Sequence, residues 1–299
     1  MTTQISPNTL IVLAKKHSDK QIRKIAGEQL IEEYLKYKEN PYSLPFSLDG
    51  ISQSNEYLPE IRQVAGEHHI NHLVEKGYYD SLQSIIEARQ HYDKFPKKIQ
   101  ERAKQYFEAA AMSAIELIVK NPQDRNAHSL EGIARDSKAP TSARILAGKH
   151  MIQEHTQKGE YGSLSYMVQN EVITDNYGKE RGTYPPEVVQ KAKESIPKAA
   201  MNAYQQYTTK YASDNADRLY ALATSEICPL EIRTLAGIHL INNKYAYDCN
   251  GLDYLAQNEK FPQDIRNLAV SKVATELERA GKILLEEQRK IKMKHKNKK

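Results

Sequence analysis

The sequence predicts an all-α chain, an α-solenoid of about seven stacked helical pairs forming a single continuous domain. Three observations carry that expectation. The string IRKIAGEQLI (22–31) returns as IRQVAGEHHI (61–70), ARILAGKHMI (143–152) and IRTLAGIHLI (232–241). A short leucine-bearing segment precedes each copy, and in every copy but the first a proline stands between the two.

With the central alanine as register, a weaker copy, IRNLAVSKVA (265–274), and two degenerate ones, IQERAKQYFE (99–108) and VVQKAKESIP (188–197), complete the series. The alanine column is then Ala26, Ala65, Ala103, Ala147, Ala192, Ala236 and Ala269, at spacings of 39, 38, 44, 45, 44 and 33 residues. The preceding segments read TLIVLA (9–14), SLDGI (47–51), SLQSII (81–86), SLEGIA (129–134), SLSYMV (163–168), RLYALA (218–223) and GLDYLA (251–256). Leucine followed by an apolar residue three positions on fits a short amphipathic helix. Each repeat is therefore two helices and a turn.

Punctuation supports the boundaries. Pro59, Pro96, Pro140, Pro185, Pro229 and Pro262 fall at the start of the second helix, where a missing N–H costs nothing. Glu60, Glu231 and Asp264 follow in the first turn, where negative charge suits the helix dipole. Apolar residues at −4, 0 and +4 from the alanine make one narrow stripe. Glycine follows the alanine in four copies, as Gly27, Gly66, Gly148 and Gly237, although it costs ~1 kcal/mol against alanine in a helix interior. Its recurrence predicts close helix approach. A longer period overlies the short one: residues 103–152 align without a gap on 192–241, with 17 identities in 50 positions. A two-repeat block has been duplicated, which favours one stack over two domains.

The alternation of L-x-x-[IL] with P-x-x-[IV]-R-x-x-A-x-x-x-[LI] resembles HEAT and armadillo-type repeats, including the phycobilisome-lyase-like branch, over residues ~8–280. The resemblance implies a fold whose concave face, formed mostly by the second helices, binds another protein. One feature departs from the pattern. HEAT repeats usually place aspartate six residues before the arginine, and here those positions hold His17, Glu56, Lys138, Ile227 and Lys260.

Composition narrows the function classes. The mean hydropathy of −0.71 and the lack of a long apolar run disfavour a membrane span. The opening residues lack the pattern of a secretory signal, and Cys228 and Cys249 suggest neither a disulfide framework nor a metal site, so a cytoplasmic location is expected. The net charge of +5 is concentrated at one end. Residues 289–299 carry +7, leaving −2 for residues 1–288. The expected organisation is a helical-repeat domain over 1–288 and a basic, disordered tail over 289–299. The final helix should run from about Pro262 to Lys290.

Candidate sites divide between scaffold and surface. The arginine column (Arg23, Arg62, Arg144, Arg233, Arg266) either bonds inter-repeat carbonyls or grips an acidic partner. His68, His150 and His239 lie in separate repeats, too far apart for one metal ion, and EHHINH lacks the glutamate position of H-E-x-x-H. His69 occupies a core column. Cys228 opens a helix, a position that can lower a thiol's pKa, yet a buried turn cysteine is the ordinary reading. No nucleophile with an adjacent base and no phosphate-binding glycine loop is legible, so neither catalysis nor a cofactor is expected. A base-excision enzyme on this scaffold is disfavoured by the absence of tryptophan. Two irregular segments, 40–57 and 171–186, interrupt the repeats, and such loops often carry contacts. The 19 tyrosines, among them Tyr204, Tyr207 and Tyr211, suit interfaces. The expected function is a non-enzymatic scaffold binding a protein partner. Its contact residues would be Arg62, Arg144, Arg233, Arg266, Tyr177, Arg181 and Tyr184, with Lys290, Lys292 and Lys294 from the tail. The alternative is a nucleic-acid-associated solenoid whose tail supplies phosphate contacts.

Overall fold

The computed structural model describes residues 5–37, 44–87, 94–122, 129–169, 182–209, 214–242 and 249–296. Among them every regular element is an α-helix. Fourteen occur in chain order: α1 (Pro7–Lys16), α2 (Lys20–Lys36), α3 (Leu48–Gln53), α4 (Pro59–Glu75), α5 (Tyr79–Ile86), α6 (Lys97–Lys120) and α7 (Leu130–Arg135), then α8 (Thr141–Lys158), α9 (Tyr161–Gln169), α10 (Pro186–Thr209), α11 (Asp214–Thr224), α12 (Leu230–Asn242), α13 (Cys249–Gln257) and α14 (Gln263–Lys296). No described helix is long and apolar enough to cross a membrane.

These form seven consecutive pairs, short helix then long, matching the seven repeats read from the sequence. Odd helices are brief because a cap opens them and the chain must turn back. Ser47 and Ser129, for instance, accept from the N–H groups of Gly50 and Gly132 at the starts of α3 and α7. From α4 onward the even helices open on or just after the expected prolines, with Pro59 the first residue of α4, while α2 opens behind an Asp19 cap.

The chain divides into two compact units, residues 1–148 with 172–185, and residues 149–171 with 186–299. In the first, α1 packs on α2, α3 on α4 and α5 on α6, while α4 touches both α2 and α6. In the second, α9 packs on α10, α11 on α12 and α13 on α14, while α12 touches both α10 and α14. Helix α8 begins in the first unit and ends in the second. All seven residues of the alanine column are buried. The −4 column is buried too, except in the first repeat, where Ile22 stands 39% exposed.

The recurrent glycines are close-contact positions. A Cβ on Gly27 would lie 2.8 Å from Ile61, on Gly66 2.8 Å from Ile99, and on Gly237 2.8 Å from Ile265. In each case the neighbour is the −4 isoleucine of the next repeat, so glycine lets successive even helices approach. The duplicated block is visible as well. Its even helices α6 and α10 each have 24 residues, against 17 in α2 and α4. Each receives a left-handed glycine against an equivalent alanine: Gly77 (φ +69°) on Ala114 and Gly159 (φ +73°) on Ala203.

Candidate protein-interaction site

The arginine column sits inside the scaffold. Arg23 donates Nε–H to the Ala14 carbonyl (3.2 Å) and Nη2–H to that of Glu56 (2.6 Å). Arg62 does the same to Ser52 (2.9 Å) and Lys94 (2.7 Å), and Arg233 to Ala223 (3.2 Å) and Lys260 (2.6 Å). Arg144 donates to Ala134 (3.4 Å) and to the Thr183 carbonyl. One edge of each guanidinium thus ties the odd helix of its own repeat to the turn that opens the next even helix. The second acceptor always falls six residues before the next arginine-column position, where HEAT repeats usually carry aspartate. Here the backbone carbonyl serves at that place, which explains why Glu, Lys and Thr stand at the accepting positions instead of aspartate.

A second regularity accompanies the first. Wherever an arginine reaches across, the residue after its acceptor is a buried aromatic: Tyr57, Phe95, Tyr184 or Phe261. Where Gln100 or Val189 replaces the arginine, the corresponding position of the next repeat is Ala139 or Cys228. Arg266 reaches no following turn among the described residues. Its Nε is buried without a partner and its Nη2 bonds Gln263 Oε1 within α14. Arg62, Arg144 and Arg233 therefore hold repeats together with the groups expected to contact a partner.

Tyr184 is 5% exposed, and the Arg135 guanidinium lies 5.6 Å from its ring centre, so the ring is turned inward. Tyr177 and Arg181 lie outside the described residues, as does Tyr211. Lys290 is exposed on α14. Lys292 and Lys294 belong to the same helix, whose backbone runs to Lys296, beyond the point where a tail was expected to begin.

Histidine and cysteine are accounted for by packing. His69 stacks on Phe95 (centroids 6.0 Å, planes 11° apart), and burial pushes its pKa down to about 4. His239 meets Tyr204 edge-on at 6.2 Å. Among the described residues no three His, Cys, Asp or Glu side chains gather as a metal site would need. Burial raises the Cys228 thiol to about 11, opposite to the effect expected of an exposed helix start. Tyr207 lies under the Arg218 guanidinium at 5.6 Å.

One surface feature of the described residues is a tyrosine pair that sequence reasoning missed. Tyr220 on α11 and Tyr254 on α13 stack with centroids 6.2 Å apart and planes 22° apart, and their hydroxyls share a 2.9 Å hydrogen bond. Asn258 Nδ2 donates to Tyr220 Oη at 2.6 Å, and the buried Phe261 ring props Tyr220 edge-on at 5.2 Å. Desolvation, and then the bond with Tyr254, hold the Tyr220 phenol above its usual pKa, so it stays neutral. Beside this pair opens a cleft of about 180 Å³, lined by Ala216, Asp217, Leu240, Gly251 and Leu255 together with the two tyrosines. Tyr254 is 58% exposed. The arrangement offers an apolar floor, an aromatic wall and one carboxylate. Tyrosine abundance was the available signal. It could not single out this pair, because Tyr220 stands one residue after its helix's core leucine and Tyr254 two after its own. No family model matches the chain, and no curated protein or solved structure is significantly similar to it.

Proposed function

We propose that the chain is a non-enzymatic scaffold of the HEAT-like solenoid type that binds another protein. The observation supporting this most directly is the Tyr220–Tyr254 cleft. Stacked tyrosines whose hydroxyls are already bonded present a large, ordered surface that loses little conformational freedom on binding. Leu240 and Leu255 suit an apolar side chain, and Asp217 suits a basic residue beside it. The resemblance seen in the repeat motif points the same way, since it implies a binding scaffold. The partner is therefore a protein segment presenting an apolar residue next to lysine or arginine.

The test is affinity capture from native lysate after nuclease treatment, using the full chain, a 1–288 truncation and a Tyr254→Lys variant. A specific protein should be retained by the first two and reduced at least ~10-fold by the third, as removal of an aromatic anchor generally does. Retention by Tyr254→Lys would reject the cleft as the site. Capture that vanishes with the tail or with nuclease would instead establish the nucleic-acid reading.

A further inference from the structure

Helix α14 carries a stacking face with no described residue against it. Its first turns pack normally, with Ile265 and Ala269 buried. From Ala274 to Lys290 every residue is exposed except Gly281, which is half-buried. That stretch is ~25 Å of helix. It includes Leu277, Ile283, Leu284 and Leu285, the last two 62% and 58% exposed.

Residues 280–285, AGKILL, repeat the A-G-x-x-[LHM]-[IL] core of the even helices, as in AGEQLI (26–31) and AGIHLI (236–241). In those copies Leu30 and Leu240 are buried, and the glycine admits an isoleucine at 2.8 Å. At Gly281 an added Cβ would meet no described atom within 4 Å. A glycine at this position costs helix stability, and in the other repeats that cost is offset by a neighbouring helix. Here no described residue supplies such a neighbour.

The pattern specifies a helix of the same sequence. Val270, Leu277 and Leu284 recur every seven residues, with Val273 and Ala280 between them, forming a two-helix seam. Antiparallel pairing about residues 281–283 sets Ala280 of one copy against Leu284 of the other, large against small on both sides. It places Ile283 beside its own counterpart at the centre. It also brings Glu276 beside Lys290 twice, so opposite charges meet by symmetry. A parallel pair would instead align Glu276 with Glu276 and Lys290 with Lys290.

We propose that α14 is a self-association helix, through which two copies of the chain pair antiparallel over residues 273–290. The arrangement is a closed two-fold, in which the same surface is used by both partners.

Sedimentation velocity of the full chain over a concentration series tests this. The expected result is a reversible dimer. Leu284→Lys, at an exposed position that leaves folding and helical content intact, should weaken dimerisation by roughly 100-fold, since both copies lose a buried leucine. Glu276→Lys alone should weaken it, and adding Lys290→Glu should restore it. Orientation is read by cross-linking in a Cys228→Ala, Cys249→Ala background: Ile283→Cys should form a disulfide with its counterpart, whereas Glu276→Cys should not. A monomer at every concentration, or a dimer indifferent to Leu284→Lys, overturns the proposal. Self-cross-linking of Glu276→Cys overturns the antiparallel geometry.

Discussion

A single arginine fork ties one repeat to the next, and its strength is open to measurement. Lysine keeps the charge but cannot reach two carbonyls at fixed separation. Arg62→Lys should therefore lower stability by ~1–2 kcal/mol, the usual scale for such bonds. Arg266→Lys, at a position that reaches no following repeat, should change it by less than ~0.5 kcal/mol. Equal shifts in the urea midpoint would refute the cross-repeat role. His69 gives a second expectation at this scale. It is half-buried and neutral in the folded chain, where desolvation opposes its protonation most, with Asp49 favouring protonation and His72 opposing it. The unfolded chain binds a proton below about pH 6.5 that the folded chain does not accept until about pH 4. Stability is thus complete above pH 6.5 and falls as the pH drops through that window, by on the order of 2–3 kcal/mol. His69→Leu should flatten the dependence between pH 6.5 and 4 in pH-resolved urea unfolding. An unchanged slope would exclude His69 as its source.

At the scale of the helix, propensity and packing oppose each other, and distance decides between them. Gly237→Ala gains ~1 kcal/mol of helix propensity. It also places a methyl group 2.8 Å from the Ile265 side chain, which must shift within a full core at ~1–3 kcal/mol. A net loss, seen as a lower Tm, is expected. At Gly281 the same change meets no described atom, so propensity alone acts and the monomer gains stability. Opposite signs for one substitution at two glycines of the A-G core, measured by thermal unfolding at concentrations below dimerisation, would establish that contact governs the first. Matching signs would refute it. The extension of α14 has a local basis too, since Glu278 pairs with Lys282 at 3.0 Å and Glu276 with Arg279 at 3.5 Å. Such pairs are worth only tenths of a kcal/mol each and do not specify a partner.

Across the whole molecule, periodicity was the legible part. The alanine register predicts seven buried residues and paired helices; all seven alanines are buried and the described helices pack in adjacent pairs. The arginines were legible as a column but not in their acceptors, since backbone carbonyls leave no trace in side-chain identity. The Tyr220–Tyr254 cleft was not legible at all, because it depends on how two helices 34 residues apart are turned. The division into two compact units was equally hidden, since the repeat runs through both without a break. It has a consequence that the duplicated glycines can test. Gly77 and Gly159 hold equivalent left-handed turns, and an added Cβ would lie 2.6 Å from the Ala114 backbone in one unit and 2.8 Å from the Ala203 backbone in the other. Neither backbone can swing aside as a side chain would, so Gly77→Ala and Gly159→Ala should each cost ~2–4 kcal/mol. In a chain of nearest-neighbour contacts such damage stays local. Hydrogen exchange should therefore accelerate in α4–α6 for Gly77→Ala and in α9–α12 for Gly159→Ala, with the other unit little affected. Uniform acceleration from either substitution would mean that the two units open as one, and that their separation is geometric without being energetic.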